Sequence, residues 1–106
     1  MHFISVQIIR FVDHHQPGWV ECELVDAEGR HHIITDKVPV LTSEDLHPDS
    51  EFPRLGSVPC EVLKRYQDEK GRELVRVSTA RPADIESKDG LSEFTVPVSL
   101  ITSVPN

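Results

Sequence analysis

Cysteine is scarce in this chain of 106 residues: Cys22 and Cys60 are the only two. That is too few for a disulfide scaffold, and neither belongs to a CxxC pair of the kind that holds zinc or runs thiol exchange. Basic residues are in deficit as well. Eleven Lys and Arg stand against 18 Asp and Glu, a formal net charge of −7. No basic stripe with interleaved aromatics occurs, so no nucleic-acid partner is expected, because binding a polyanion draws its affinity from cations. No apolar run approaches the roughly 18 to 20 residues needed to cross a bilayer. The first residues lack the basic start, apolar stretch and small-residue cleavage site of a secretion signal. The expectation is a cytoplasmic protein without a membrane partner. GxSxG, phosphate-binding loops, dinucleotide fingerprints and HExxH are all missing, so no catalytic, cofactor-binding or metal residue is assigned and no cofactor is expected.

The residues that are present point to strands. Val and Ile together number 20, against 12 for the helix formers Leu, Ala and Met, and eight Pro and five Gly are spread along the chain. β-Branched residues pack well on a pleated surface, and Pro and Gly punctuate turns. About a third of the residues are Val, Ile, Leu or Phe, enough for a packed core. A chain of this length supplies one such core rather than two, so residues 1–106 read as a single small β domain.

Phe3 to Val12 alternates, with Ile4, Val6 and Ile8 on one face and Ser5 and Gln7 on the other. Asp13 to Gly18 breaks the pattern at Pro17-Gly18. Trp19 to Val25 predicts a second strand with Val20, Cys22 and Leu24 on one face, and the turn Asp26-Ala27-Glu28-Gly29 leads into a third, Arg30 to Thr35. A symmetric turn sets Val25 opposite Arg30, Cys22 opposite Ile33 and Glu23 opposite His32; a three-residue loop shifts that register by one. Lys37 to Leu41, with Pro39, reads as an edge strand or connector, and Thr42 to Leu46 as the start of one helical turn. From Leu41 to Gly56 there is little regular pattern. Long unpatterned connections in small domains tend to be functional or mobile, which makes this loop the first candidate binding surface.

Ser57 to Tyr66 and Arg72 to Ala80 form a second hairpin about Asp68 to Gly71. Val58, Cys60 and Val62 then share a face with Val75, Val77 and Thr79, while Glu61, Leu63 and Arg65 lie near Ser78, Arg76 and Leu74. A charged connection over 81–90 precedes the last strand, Ser92 to Ile101, whose Pro97 demands an edge position or a bulge. Both hairpins repeat one solution, an inward cysteine and an outward acid followed by Asp-x-x-Gly-Arg. About six strands, two hairpins and at most one short helical turn predict an all-β fold. It is a small closed or partly open antiparallel β-barrel, or alternatively a compact β-sandwich.

Six histidines include two adjacent pairs, His14-His15 and His31-His32. Neighbours on a regular strand point to opposite faces, so a metal would need one histidine from each pair, with Asp13 or His2, brought together by the first loop. Otherwise they are exposed polar residues at strand ends, with His32 facing Glu23 across the hairpin. The alternation turns both cysteines inward, where thiols are inert. The carboxylate pairs, such as Glu21 with Glu23 and Glu44 with Asp45, fall on solvent faces or turns and read as a solvated acidic surface. Trp19, beside a turn, covers a barrel end or anchors a partner; with Ile34, Leu63 and Leu74 it makes a partly apolar outer surface.

The function expected from these features is a non-catalytic binding or protein-interaction module, with a protein partner or a second copy of the chain. The rival is a small metal-binding protein or metal-dependent enzyme using His14, His15, His31 or His32. A third reading, an acidic inhibitor that mimics nucleic acid, requires a clustered negative surface.

Overall fold

Two long strands, β1 (His2–Asp13) and β4 (Arg54–Gln67), form the spine. They pair antiparallel from His2 opposite Cys60 to Ile8 opposite Arg54. Around them lie β2 (Trp19–Val25), β3 (His31–Lys37), β5 (Glu73–Ser78), β6 (Glu93–Pro97) and β7 (Ile101–Ser103), with one helical turn, α1 (Val38–Leu41), and a 3-10 turn at Val98–Leu100. The computed structural model describes residues 1–104. Its strands make one antiparallel sheet in the order β3-β2-β1-β4-β5-β6, curled into a half-barrel, with β7 added beside β1. No helix among the described residues is long and apolar enough to cross a membrane.

The inner face carries the alternation expected of it. Ile4, Val6 and Ile8 of β1, Val20, Cys22 and Leu24 of β2, Val58 and Cys60 of β4, and Val75 and Val77 of β5 are buried in one cluster. Each fully buried Val, Leu or Ile contributes about 1.5–3 kcal/mol relative to an exposed one. Alternation fails in β1 where apolar residues are doubled, Ile8-Ile9 and Phe11-Val12. There the pairing with β2 slips, from Ile8 opposite Cys22 to Arg10 opposite Glu21, and from Phe11 opposite Val20 to Asp13 opposite Trp19. These bulges add local twist, which curls the sheet.

The two hairpin turns are built alike. Asp26 N donates to Arg30 O at 2.9 Å and Gly29 N to Asp26 O at 3.0 Å; Asp68 N donates to Arg72 O and Gly71 N to Asp68 O, both at 3.0 Å. Gly29 and Gly71 sit at φ +78° and +81°, the left-handed position that closes a three-residue hairpin loop. In each, the aspartate Oδ1 accepts two further backbone N–H groups, from Glu28 and Arg30 or from Lys70 and Arg72. The symmetric first turn is thus corrected to the three-residue loop, and Val25 faces His31. A one-residue slip turns every side chain of β3 over. Ile34 and His32 consequently point inward, and Ile33 lies opposite Glu23.

In the second hairpin the same turn sets Gln67 opposite Glu73, and a bulge at Leu63 then restores Val62 opposite Val77. The valine, cysteine and threonine row is buried as expected except for Val62, which is half-buried. Pro97 ends β6, which is an outer strand. The chain beyond it forms the 3-10 turn and then β7, rather than one continuous strand to Ile101. The helical turn likewise forms at Val38–Leu41, one step before Thr42 to Leu46.

The gap between β3 and β6 is bridged by backbone. Ala27 N donates to Thr95 O, and Lys88 N to Ile33 O, each at 2.8 Å. Residues 80–92 form the strap that carries Lys88. Buried Thr79 organises the strap: its Oγ1 donates to Ile85 O at 2.7 Å and its N–H to Ser92 O at 2.7 Å, while Ile85 is sunk into the core.

Candidate functional site

The irregular segment after α1 folds into a wall rather than a mobile loop. Leu41 and Leu46 are buried in the core cluster and pin it at two points. Between them Glu44 N donates to Thr42 Oγ1 at 3.1 Å, and beyond them His47 N donates to Ser50 Oγ at 2.9 Å and Ser50 N to His47 O at 3.0 Å. Arg54 of β4 ties the segment back, its Nη2 donating to Glu44 Oε2 at 2.9 Å. Gly56 permits the close approach. A Cβ there would lie 2.7 Å from Ile8 Cδ1 and 3.1 Å from the Leu41 carbonyl oxygen.

Facing this wall is the turn between β1 and β2. Val38 N donates to Gly18 O at 3.0 Å, which fixes α1 against the turn. Gly18 has φ +93°, and a Cβ on it would meet the Phe11 ring at 3.0 Å, so glycine is required twice over. Between wall and turn lies a cleft of about 560 Å³, within the size range of ligand sites. Phe11, Val38 and Leu46 supply apolar floor, Pro17, Pro39 and Pro48 the rigid rim, His14 and His47 the imidazoles, and Glu44 and Asp45 the carboxylates. The segment singled out by its lack of pattern therefore lines the cleft over residues 42–48. The contribution of Phe11 and the 14–18 turn was hidden in the sequence, because it depends on the bulges that bring the end of β1 over β2.

A second, more open cleft of about 660 Å³ lies at the other end of β1, where Cys60 is flanked by His2, Glu61 and Arg81. Cys60 remains buried, and burial pushes its thiol up to about 11. Burial, with Asp36 and Glu21 nearby, pushes the Cys22 thiol up to about 12. Thiols raised this far are protonated at neutral pH and poor nucleophiles.

The surface residues expected to act together are dispersed. Ile34 is fully buried because the hairpin register turned β3 over. Leu74 does point away from the main core, but it is buried all the same, opposite Tyr66 and Pro97, with β5 packed on the 3-10 turn. Leu63 is 45% exposed on its bulge. Trp19 is half-buried, with Lys37 Nζ 5.7 Å from its ring centroid. Trp19 pairs with Asp13 at one end of β1 and Leu63 lies beyond the His2 end, so the length of β1, roughly 35 Å, separates them.

The histidine pairs are kept apart too. His14-His15 lies near the Trp19 end of β2 and His31-His32 at the Val25 end, a separation of roughly 20 Å. Among the described residues no group of three His, Cys, Asp or Glu side chains converges as a metal would need. Each pair finds local partners instead. His14 packs against Phe11, and His15 Nδ1 meets Asp13 Oδ1 at 2.6 Å. His31 Nδ1 lies 2.9 Å from Glu23 Oε1, so His31 and not His32 is the partner of Glu23. His32 Nε2 lies 2.8 Å from Asp26 Oδ2, with both side chains about nine-tenths buried and the His32 ring edge-on to Phe94.

Sequence reasoning also missed Glu21. It lies on the outer face as expected, but is only 8% exposed, because Arg10 Nε and Nη2 donate to its two oxygens at 3.3 and 3.2 Å. The bulge at Ile9 aligns that pair. Elsewhere on the surface some acids are paired. Glu28 and Asp68 share Arg72, and Glu93 meets Arg76. No family model, curated protein or solved structure matches this chain.

Proposed function

We propose that the protein is a non-catalytic binding module that receives a protein partner in the cleft between the β1–β2 turn and the segment after α1. The observation that carries this reading is the build of that cleft. A small apolar floor anchored in the core is ringed by prolines and by a largely polar rim that includes His14, Ser43, Glu44, Asp45 and His47, a concave surface held in place by the fold. Supporting it, both thiols are buried and raised, and three of the six histidines, His15, His31 and His32, sit against local carboxylates. A cytoplasmic home belongs to the same reading, since two unpaired thiols suit a reducing compartment.

The test is site-specific photo-crosslinking in the native cell. A photoreactive residue at Ser43 on the cleft rim should trap one discrete protein. The same group at Glu69, on the turn at the far end of the sheet, should trap only background. Equal capture at both positions refutes the reading.

A further inference from the structure

The charge of the cleft narrows what can occupy it. Its lining holds two carboxylates, Glu44 and Asp45, and no Lys or Arg among the described residues. Glu44 is partly neutralised by Arg54 from behind, whereas Asp45 has no ion pair among the described residues. The two carboxylates flank an apolar floor in a chain of net charge −7. An anionic segment entering here would meet like charge at Asp45, with Arg54 already engaged by Glu44. A purely apolar segment would leave Asp45 at its margin in water, contributing nothing to recognition. A long cationic side chain satisfies both parts of the lining. Its methylene stem lies on apolar surface and its head reaches the carboxylates. A guanidinium does this best, because its planar fork pairs with a carboxylate through two bonds and stacks on an aromatic ring.

Building on the binding-module reading above, we infer that the cleft recognises a basic segment of its protein partner, with an Arg or Lys side chain laid over Phe11 and its charged head at Asp45 and Glu44. The pairing is at a rim open to water, so it gives specificity and salt dependence more than raw affinity.

The probes are three fluorescein-labelled hexapeptides, Gly-Pro-Arg-Pro-Arg-Gly and its counterparts with Gln or Glu in place of both Arg, titrated against the full chain by fluorescence anisotropy. The Arg peptide is expected to bind saturably. Its binding should weaken about two- to fivefold in Asp45→Asn, and further in Asp45→Asn with Glu44→Gln, each an exposed substitution. It should also weaken when salt rises from about 0.05 to about 0.5 M. A remote Glu69→Gln control should leave it unchanged. Amide shifts confined to Phe11, Val38 and Leu46 locate the site. Tighter binding of the Glu peptide, or binding of the Arg peptide that ignores both cleft substitutions, overturns the proposal. Equal binding of the Gln peptide, with shifts at the same residues, overturns the cationic assignment and leaves the binding module standing. Failure of all three peptides overturns the inference, while the Ser43 crosslink decides separately whether the cleft holds a partner.

Discussion

Asp26→Ala and Asp68→Ala form a matched pair of perturbations, since both aspartates organise the same turn. Each substitution removes an acceptor for two backbone N–H groups. By analogy with capping residues, that loss at Asp26 is worth about 1 kcal/mol. Asp26 also holds His32 at 2.8 Å, where the His32 side chain is only 10% exposed. Leaving a nearly buried ring nitrogen unpaired adds about 1–3 kcal/mol. Asp68 instead holds Arg72, an exposed guanidinium that water can serve. Asp26→Ala should therefore destabilise by about 2–4 kcal/mol and Asp68→Ala by visibly less. Urea unfolding followed by Trp19 fluorescence measures both, and with an m-value of about 2 kcal/mol/M the extra ~1–3 kcal/mol at Asp26 should separate the midpoints by about 0.5–1.5 M.

The pH dependence carries a sign. Burial pushes the Asp26 carboxyl up, but hydrogen bonds from His32, Arg30 and Glu28 outweigh it and hold the group below its ordinary value of 3.8. A depressed acid contributes stability that is fully present above the ordinary carboxylate range and is lost as pH falls through the folded-state value. The gap between the native chain and Asp26→Asn should thus be open at pH 5 and close on further acidification. An Asp68→Ala variant as damaged as Asp26→Ala, or a gap that widens in acid, would refute the reasoning.

Three other outcomes follow from the packing. Gly56→Ala should lose about 1–3 kcal/mol by overpacking, since its methyl is driven against Ile8 and the Leu41 carbonyl, and thermal unfolding should show a matching fall in Tm. Both thiols should resist a thiol-reactive dye in the folded chain at pH 8 and react once urea unfolds it, because burial holds Cys22 near 12 and Cys60 near 11. Thr79→Val keeps the side-chain shape but removes the donor to Ile85 O; amide exchange at Lys88 should accelerate more than exchange in β1.

The inward rows of β1, β2 and the second hairpin were legible because a strand buried on one face writes its burial in a period of two. The same period hid the register. Whether Asp26 to Gly29 closes symmetrically or through a three-residue loop depends on Gly29 taking positive φ, and both readings satisfy the composition of the turn. That single residue decides whether Ile34 and His32 face solvent or core. Leu74 failed for another reason: its outward direction was readable, but its cover comes from the chain after Pro97, which the alternation of Val98 and Leu100 presented as more strand. The cleft was half legible. A missing pattern over 41–56 marked one wall, while the opposing turn arrives through bulges that doubled apolar residues signal only in retrospect.

Leu63 is the surplus residue of the second hairpin, and it follows closely on the step from Cys60 to Glu61 where β4 stops pairing with β1 and begins pairing with β5. Excising it would keep the partnerships of Val62 with Val77 and Lys64 with Arg76, so the hairpin itself tolerates the loss. The casualty is the bend that lets one continuous strand serve two neighbours in different directions. Curvature in this protein therefore resides partly in this inserted residue, beside the two bulges of β1, and shortening the chain by it would straighten β4 without unzipping the hairpin.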